Sequence, residues 1–408
     1  MQTSIPSELL NNPGIAEADA ILRACVHCGF CTATCPTYQI LGSELDGPRG
    51  RIYLIKEMLE GGEATDKTLL HLDRCLTCRS CETTCPSGVR YGRLIEIGRE
   101  IAEEKSPRPL TQKLLRSAML TVLPYTARIS AALTLARIFR PLLPAQLKNK
   151  LPAKRNTAAT PATSHPRRML MLEGCIQPLT APETNAAATR VLDKLGISLV
   201  SAQGAGCCGA LNQHLSDSDG ARNMMRRNID AWWPHVKDGA ETIVMTASGC
   251  GLMVKDYVDA LKDDANYANK AARISALTRD LSEVVTDELQ KQEHRGYFAH
   301  IGHGVRVACQ SSCTLQHGQK LGGVVENILQ RCGYELTPVA DSHLCCGAAG
   351  TYTLLQPELS AQLLQNKLAA LNAGKPEVIA TANIGCQMHL ASESRLPVKH
   401  WIELLDPK

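Results

Sequence analysis

The chain has 408 residues, 44% apolar and 21% charged, enough for two or three cored domains and too apolar for a disordered chain. Its start, MQTSIPSELLNNPG, lacks the charged and apolar regions of a secretion signal, and no apolar run reaches the ~18 to 20 residues of a spanning helix. The expectation is a cytoplasmic protein whose eighteen cysteines serve as metal ligands or redox groups and not as disulfides.

Residues 14–104 hold two cysteine runs, Cys25-VH-Cys28-GF-Cys31-TAT-Cys35-Pro36 and Cys75-LT-Cys78-RS-Cys81-ETT-Cys85-Pro86. Both read C-x2-C-x2-C-x3-C-P, in which one tight loop brings three thiolates to a cubane iron-sulfur cluster while the fourth faces away. In two-cluster ferredoxins that fourth cysteine ligates the other cluster. The expected sets for two [4Fe-4S] clusters are therefore Cys25, Cys28, Cys31 and Cys85 for the first, and Cys75, Cys78, Cys81 and Cys35 for the second, on the order of 10 to 12 Å apart. A pair of structural zinc sites competes with this reading, but such sites usually combine two separated C-x2-C pairs. His27, inside the first loop, is read as a neighbour of the cluster or an exposed residue. Between the runs, Ile52, Ile55, Met58 and Leu59 recur at helical spacing and Gly61-Gly62 stops the helix. The module is expected to be α-helical and ferredoxin-like.

Residues 105–150 are expected to form basic amphipathic helices. Between Lys105 and Leu172 there are thirteen Lys/Arg and no Asp or Glu, which leaves 31 basic against 40 acidic residues elsewhere. Two helices are predicted either side of Pro124, one with Leu114, Leu115, Ala118, Met119 and Val122 in its apolar stripe, the other with Ile129, Leu133, Ala136 and Phe139. Lys113, Arg116, Arg128, Arg137 and Arg140 flank them. Either the stripes are core and the cations solvate the outer face, or the segment lies on an anionic membrane, where each cation contributes about 1 kcal/mol. Residues 151–168, rich in Pro, Ala, Thr and cations without periodicity, read as a linker.

Beyond it the chain repeats itself, with halves at 169–290 and 300–408. Cys175, Cys207-Cys208-Gly209 and Cys250 recur as Cys313, Cys345-Cys346-Gly347 and Cys386, at offsets of 138, 138 and 136 residues. Apolar β-branched runs alternating with helical patterns predict parallel strands, with each cysteine at or just after a strand's carboxyl end, where α/β folds place ligands. Gly204-Ala-Gly206-Cys-Cys-Gly209 also satisfies a dinucleotide fingerprint, but the second half has Ser342-His-Leu-Cys345-Cys346-Gly347 there, so the shared element is Cys-Cys-Gly. Cys332 is expected to pack at a helix end.

On these residues the chain resembles the cysteine-rich CCG domain family, found in heterodisulfide reductases, the lactate-utilisation proteins and anaerobic glycerol-3-phosphate dehydrogenases. With the two cysteine runs in front, and GPRGRI at 47–52, residues 14–408 look like the glycolate oxidase iron-sulfur subunits. The resemblance implies Rossmann-like α/β halves and metal at their cysteines. The implied sets are Cys313, Cys345, Cys346, Cys386 and His389 as a third site, and Cys175, Cys207, Cys208 and Cys250 as a fourth. The family's fullest motif ends C-x2-C in each half, whereas this chain has Met253 and His389 there; thioether sulfur is a weak ligand, and Cys309 offers a spare thiol.

No flavin or nicotinamide site is visible, so both donor and acceptor are expected on partners. The resemblance implies FAD-containing subunits that oxidise glycolate to glyoxylate, with this chain passing electrons towards a quinone, in the cytoplasm or peripherally on the inner membrane. It contributes no catalytic residue of its own. A D-lactate or glycerol-3-phosphate dehydrogenase would leave the same cysteine signature. A thiol-disulfide enzyme of the heterodisulfide reductase kind is the alternative from another class, and a scaffold with purely structural cysteines a third. Nucleic-acid binding is not expected, because the aromatic residues that stack bases are scarce.

Overall fold

The computed structural model describes residues 1–139, 159, 161, 163–294 and 296–406. Asn12 opens the first long helix, Pro13–Ala24: its side chain accepts hydrogen bonds from the Gly14 and Ile15 amides at 2.8 and 3.4 Å, and Pro13 presets φ. Helices Pro48–Leu59, Asp66–Asp73 and Tyr91–Lys105 pack with it around Ile15, Leu22, Ile52, Ile55, Met58, Leu72, Leu94 and Ile95. The helix expected after Arg51 is present and starts three residues earlier, at Pro48. Gly98 permits the closest approach between two of these helices, since a Cβ there would meet Ile55 Cδ1 at 2.6 Å.

The two helices flanking Pro124 form as expected, Leu110–Val122 and Thr126–Ile138, bent against each other by 108°. Their predicted apolar stripes are divided: Met119 and Ile129 are buried, while Leu114, Leu115, Ala118 and Phe139 are exposed. Leu110, Leu114, Leu135 and Ile138 are 70, 61, 56 and 64% exposed. The cause lies in Arg108 and Arg116, both buried, which reach Asp73 at 2.7 and 2.9 Å and turn the Arg116–Met119 edge inward. Lys105 also turns inward, donating to the Met58 carbonyl at 2.7 Å. Among the described residues no single helix is long and apolar enough to cross a membrane.

Most of the expected linker, and Arg140 before it, fall outside the described residues. Its last two positions are already strand, because Arg167 and Arg168 open β1. The remainder folds as two four-stranded parallel sheets. β1 (Arg167–Met171), β2 (Ile197–Ser201), β3 (Ile243–Met245) and β4 (Thr278–Asp280) lie in the order β2-β1-β3-β4. β5 (Arg306–Gln310), β6 (Glu335–Leu336), β7 (Val378–Thr381) and β8 (Val398–His400) lie in the order β6-β5-β7-β8. The repeat read from the cysteines is thus a repeat of topology. Registers such as Leu170↔Ile243 and Val307↔Val378 align the central strands. β3 and β7 are buried throughout, as strands covered on both faces require.

The halves share one core, in which Val191, Leu192 and Val284 of the first meet Val307, Ile328 and Trp401 of the second. Arg190 clamps the junction, reaching Asp406 at 2.8 and 2.5 Å. Trp401, fully buried there, is the test: Trp401→Ala should cost about 3–5 kcal/mol, whereas Leu114→Ala on the exposed helix should stay within about 0.5 kcal/mol. Chemical denaturation of both variants reads the difference.

Candidate metal centre

The two cysteine runs adopt one backbone. His27 and Thr77, each just before the second cysteine, have φ of 56° and 53°; Gly29 and Arg79, just after it, have 83° and 59°. Left-handed residues in a tight loop turn successive N–H groups to one side, a cradle for anions such as sulfide. Three of these four positions lack glycine, at about 1–3 kcal/mol each. Arg99 secures the second loop by donating to the Leu72 and Cys75 carbonyls at 2.8 and 2.6 Å and to Thr77 Oγ1 at 3.2 Å.

Short helices follow the loops, Phe30–Ala33 and Ser80–Thr84, and lie side by side with Thr84 Oγ1 donating to Thr34 Oγ1 at 3.3 Å. That packing carries each run's last cysteine across to the other loop. One cavity is lined by Cys25, Cys28, Cys31 and Cys85, with Ile52 and Val89. The adjoining one is lined by Cys35, Cys75, Cys78 and Cys81, with Arg51 and Leu76. Cys81 also reaches the first cavity, and Tyr91 and Pro48 line both. Four sulfurs around each cavity, with no aqueous ligand needed, fit a cubane cluster. Among the described residues no three His, Cys, Asp or Glu side chains converge on a point that would hold a single ion.

Burial governs the thiols. It pushes Cys31 up to about 11, helped by Cys25, Cys28 and Cys85. Cys78 and Cys81 are raised as well, by desolvation first and then by their neighbours, Cys35 and Cys75 among them. The thiolate form is therefore reached by binding a cationic group, with protons released. His27 lines the first cavity as well, with its Nε2 3.3 Å from Met1 Sδ and its ring tilted against Tyr53 at 4.7 Å.

Tyr91, in the lining of the second cavity, and Arg99, behind its loop, were not among the residues singled out from sequence, and Arg51 entered only within GPRGRI. Arg51 carried a signal, since it shares the helical spacing of Ile55, Met58 and Leu59 and is as buried as they are, at 1% exposure. Tyr91 and Arg99 carried none.

In the α/β halves the cysteines sit beyond the carboxyl ends of the strands as expected, with Cys250 and Cys386 on helices Ser248–Lys255 and Ile384–Ala391. The glycine of each Cys-Cys-Gly has a physical reason. Gly209 and Gly347 have φ of +92° and +89°, and a Cβ would meet the Ala221 carbonyl at 3.1 Å or the Ser360 carbonyl at 2.8 Å. Asn228 and Tyr257 fix the first turn by donating to the Cys207 and Cys208 carbonyls, both at 2.8 Å.

The thiols of each half run sulfur to sulfur. All are free thiols; in the second half Cys313 Sγ lies 3.9 Å from Cys345 Sγ, and thiol hydrogen bonding continues from Cys345 to Cys346 and on to Cys386. In the first, the thiol of Cys207 shares hydrogen bonds with Cys175 and Cys208, and that of Cys208 with Cys250. Those bonds hold Cys207 well below its usual range, and Arg227 adds to the effect. His389 Nε2 lies 3.2 Å from Ser360 Oγ, which donates to the Gly347 carbonyl at 2.9 Å. Met253 is buried in the first half's core beside Cys208 and Cys250. Cys309 packs in the shared core of the halves, where burial and then Glu326 raise its thiol. Cys332 caps helix Val324–Arg331 at 1% exposure, as expected.

The halves grip the helical module differently. Arg79 and Arg90 reach Asp256 and Asp259 of the first half at 2.6 and 2.7 Å. On the other side Cys78, Leu76, Cys313, Cys345 and Tyr352 form one apolar contact. After burial, Cys313 is the strongest influence raising Cys78.

Paired four-sulfur cavities against two cysteine-bearing α/β halves define an iron-sulfur protein of the electron-transfer class. The 4Fe-4S dicluster domain matches residues 21–89, and the cysteine-rich domain matches 169–255 and 307–391. The chain is 56% identical over 408 residues to the glycolate oxidase iron-sulfur subunit of Escherichia coli, covering 100% of this chain and 98% of that one. It is 30% identical over 403 residues to the probable glycolate oxidase iron-sulfur subunit of Bacillus subtilis, covering 91% and 89%. Lactate utilization protein A of Bacillus velezensis is 26% identical over 243 residues, 57% of this chain and 97% of that one. The chain belongs to the family of glycolate oxidase iron-sulfur subunits.

Paired substitutions separate crossed from uncrossed ligation. Cys28→Ser with Cys85→Ser strikes one cavity and should leave about half of the iron, whereas Cys28→Ser with Cys35→Ser strikes both and should leave almost none. Iron analysis of anaerobically purified protein reads the result, and uncrossed ligation would reverse it.

Proposed function

We propose that this chain is the electron-transfer subunit of a flavin-dependent dehydrogenase that oxidises glycolate to glyoxylate, passing electrons from FAD-bearing subunits towards a quinone. The observation that carries the reading is the pair of adjoining cavities, each lined by three cysteines of one run and the fourth of the other, with Cys81 reaching both. Two [4Fe-4S] clusters held there supply one-electron steps without bond changes. Cys25, Cys28, Cys31 and Cys85 hold one, and Cys75, Cys78, Cys81 and Cys35 the other. The helical module is ferredoxin-like in this sense, with 14–104 as its bounds, 105–150 as the basic helices and 169–290 and 300–408 as the two halves. This chain's residues bind, bury and neutralise, and substrate oxidation belongs to the partners.

Iron and sulfide near about eight each assign all metal to the helical module, while values near about twelve assign a further cluster to Cys313, Cys345, Cys346 and Cys386 with His389 nearby. Cys175, Cys207, Cys208 and Cys250 are the fourth candidate set.

The exposed stripe of Leu110, Leu114, Leu115, Leu135 and Ile138, with Lys113 and Arg128 beside it, suits peripheral contact with an anionic membrane. Apolar residues supply insertion, and exposed cations about 1 kcal/mol each. The chain should sediment with inner-membrane vesicles at low salt and leave them at high salt. Leu114→Glu combined with Leu135→Glu should abolish sedimentation.

Anaerobic co-purification should bring down flavin-bearing partners, and the complex should reduce a dye acceptor with glycolate in preference to D-lactate. A preference for D-lactate reassigns the substrate, and absence of a flavoprotein partner removes the role.

A further inference from the structure

The two cavities share a wall, and Tyr91 stands in it. It lines both, is 4% exposed, and its hydroxyl donates towards Cys75 Sγ at 3.8 Å. Arg51 faces the same sulfurs. Its Nε donates to the His71 carbonyl at 2.7 Å and an Nη to Thr37 Oγ1 at 3.2 Å. Thr37 Oγ1 in turn lies 3.3 Å from Cys35 Sγ. Arg51 is 1% exposed, and its guanidinium, which stays protonated in proteins, lies 3.7 Å from the equally buried Asp46.

Asp46 does not cancel that charge, because it also serves His71 and Arg74, at 3.0 and 3.1 Å. One carboxylate thus meets two guanidiniums, and Arg99 adds a third cation at the Cys75 carbonyl. The other cavity has no buried guanidinium in its lining. Arg49 and Lys56 near it are partly exposed and close on Glu44 and Glu60, and the terminal ammonium at the Cys25 carbonyl is partly exposed too. Water screens such charges.

A cluster gains negative charge on reduction, and a buried site opposes that gain unless donors or cations face it. We infer that Arg51 and Tyr91 set the reduction potential of the cluster on Cys35, Cys75, Cys78 and Cys81, holding it high enough to accept an electron from the cluster on Cys25, Cys28, Cys31 and Cys85. The inference rests on the two-cluster reading above. One electron, supplied by the reduced flavin of a partner, leaves the second-named cluster and reduces the first-named, with no proton moved and no bond made. The fixed charge of Arg51 stabilises the added electron, and the Tyr91 hydroxyl takes up part of the negative charge on Cys75 sulfur.

Redox titration of the full chain, followed by paramagnetic resonance, reads both potentials, and Cys28→Ser marks the step of the cluster it ligates. Tyr91→Phe should lower the share of the electron held on the Cys75 side about threefold, and Arg51→Gln about tenfold, a shift of about 59 mV to more negative potential. The Cys28-marked step should stay in place. Tyr91→Phe removes one hydroxyl and keeps the fold, so unmoved potentials in it, or equal movement of both steps, overturn the inference. Iron well below about eight per unsubstituted chain would instead overturn the two-cluster reading; full iron with unmoved potentials sinks only the assignment of Arg51 and Tyr91.

Discussion

Each sulfur cavity closes only when the two cysteine runs exchange their last residue, and the rest of the helical module serves that exchange. Cys35 and Cys85 reach across because helices Phe30–Ala33 and Ser80–Thr84 lie against each other. Those helices are placed in turn by the core around Ile55, Leu72 and Leu94, tightened where Gly98 lets two helices touch. Neither cavity can be complete while the other run is misplaced, so the module assembles its two sites together. The strain of His27, Thr77 and Arg79 in left-handed backbone is sustained by packing and by Arg99 on the carbonyls behind the second loop.

Surface position decides what each cavity can reach. Cys28 is exposed, which opens the first cavity to a partner. The second is enclosed by Arg51, Tyr91 and Leu76, and its outward neighbours are Cys313 and Cys345. The basic segment is divided in the same way: Lys105, Arg108 and Arg116 bond inward, and the leucines of the following helices are left facing out.

Where function depends on spacing along the chain, it was legible. The C-x2-C-x2-C-x3-C-P runs picked out the cysteines that line the two cavities, and the recurrence of Cys175, Cys207-Cys208 and Cys250 pointed to a duplicated parallel sheet. What spacing cannot convey is which way a helix is turned. The stripe from Leu114 to Phe139 has the periodicity of a core-facing surface, yet the pull of Asp73 on Arg116 buries Met119 and leaves Leu114 and Leu115 facing out. Tyr91 and Arg99 are likewise invisible in sequence, because their neighbours come from turns far away along the chain. Cys309, close to Cys313 in number, is still inside β5 and packs in the core shared by the halves, whereas Cys313 lies beyond that strand's carboxyl end.

The duplicated halves have the same strand order and the same Cys-Cys-Gly turn, yet they are not equivalent by circumstance. One touches the Cys78 loop through apolar side chains and sulfur, the other through the ion pairs of Arg79 and Arg90. A duplication that began with twin copies has thereby acquired a front and a back. The half beside Cys78 sets its own thiols against the helical module, whereas Cys175, Cys207, Cys208 and Cys250 have one another and Arg227 as neighbours, so a change in the Cys78 loop reaches the sulfur row of one half before that of its twin.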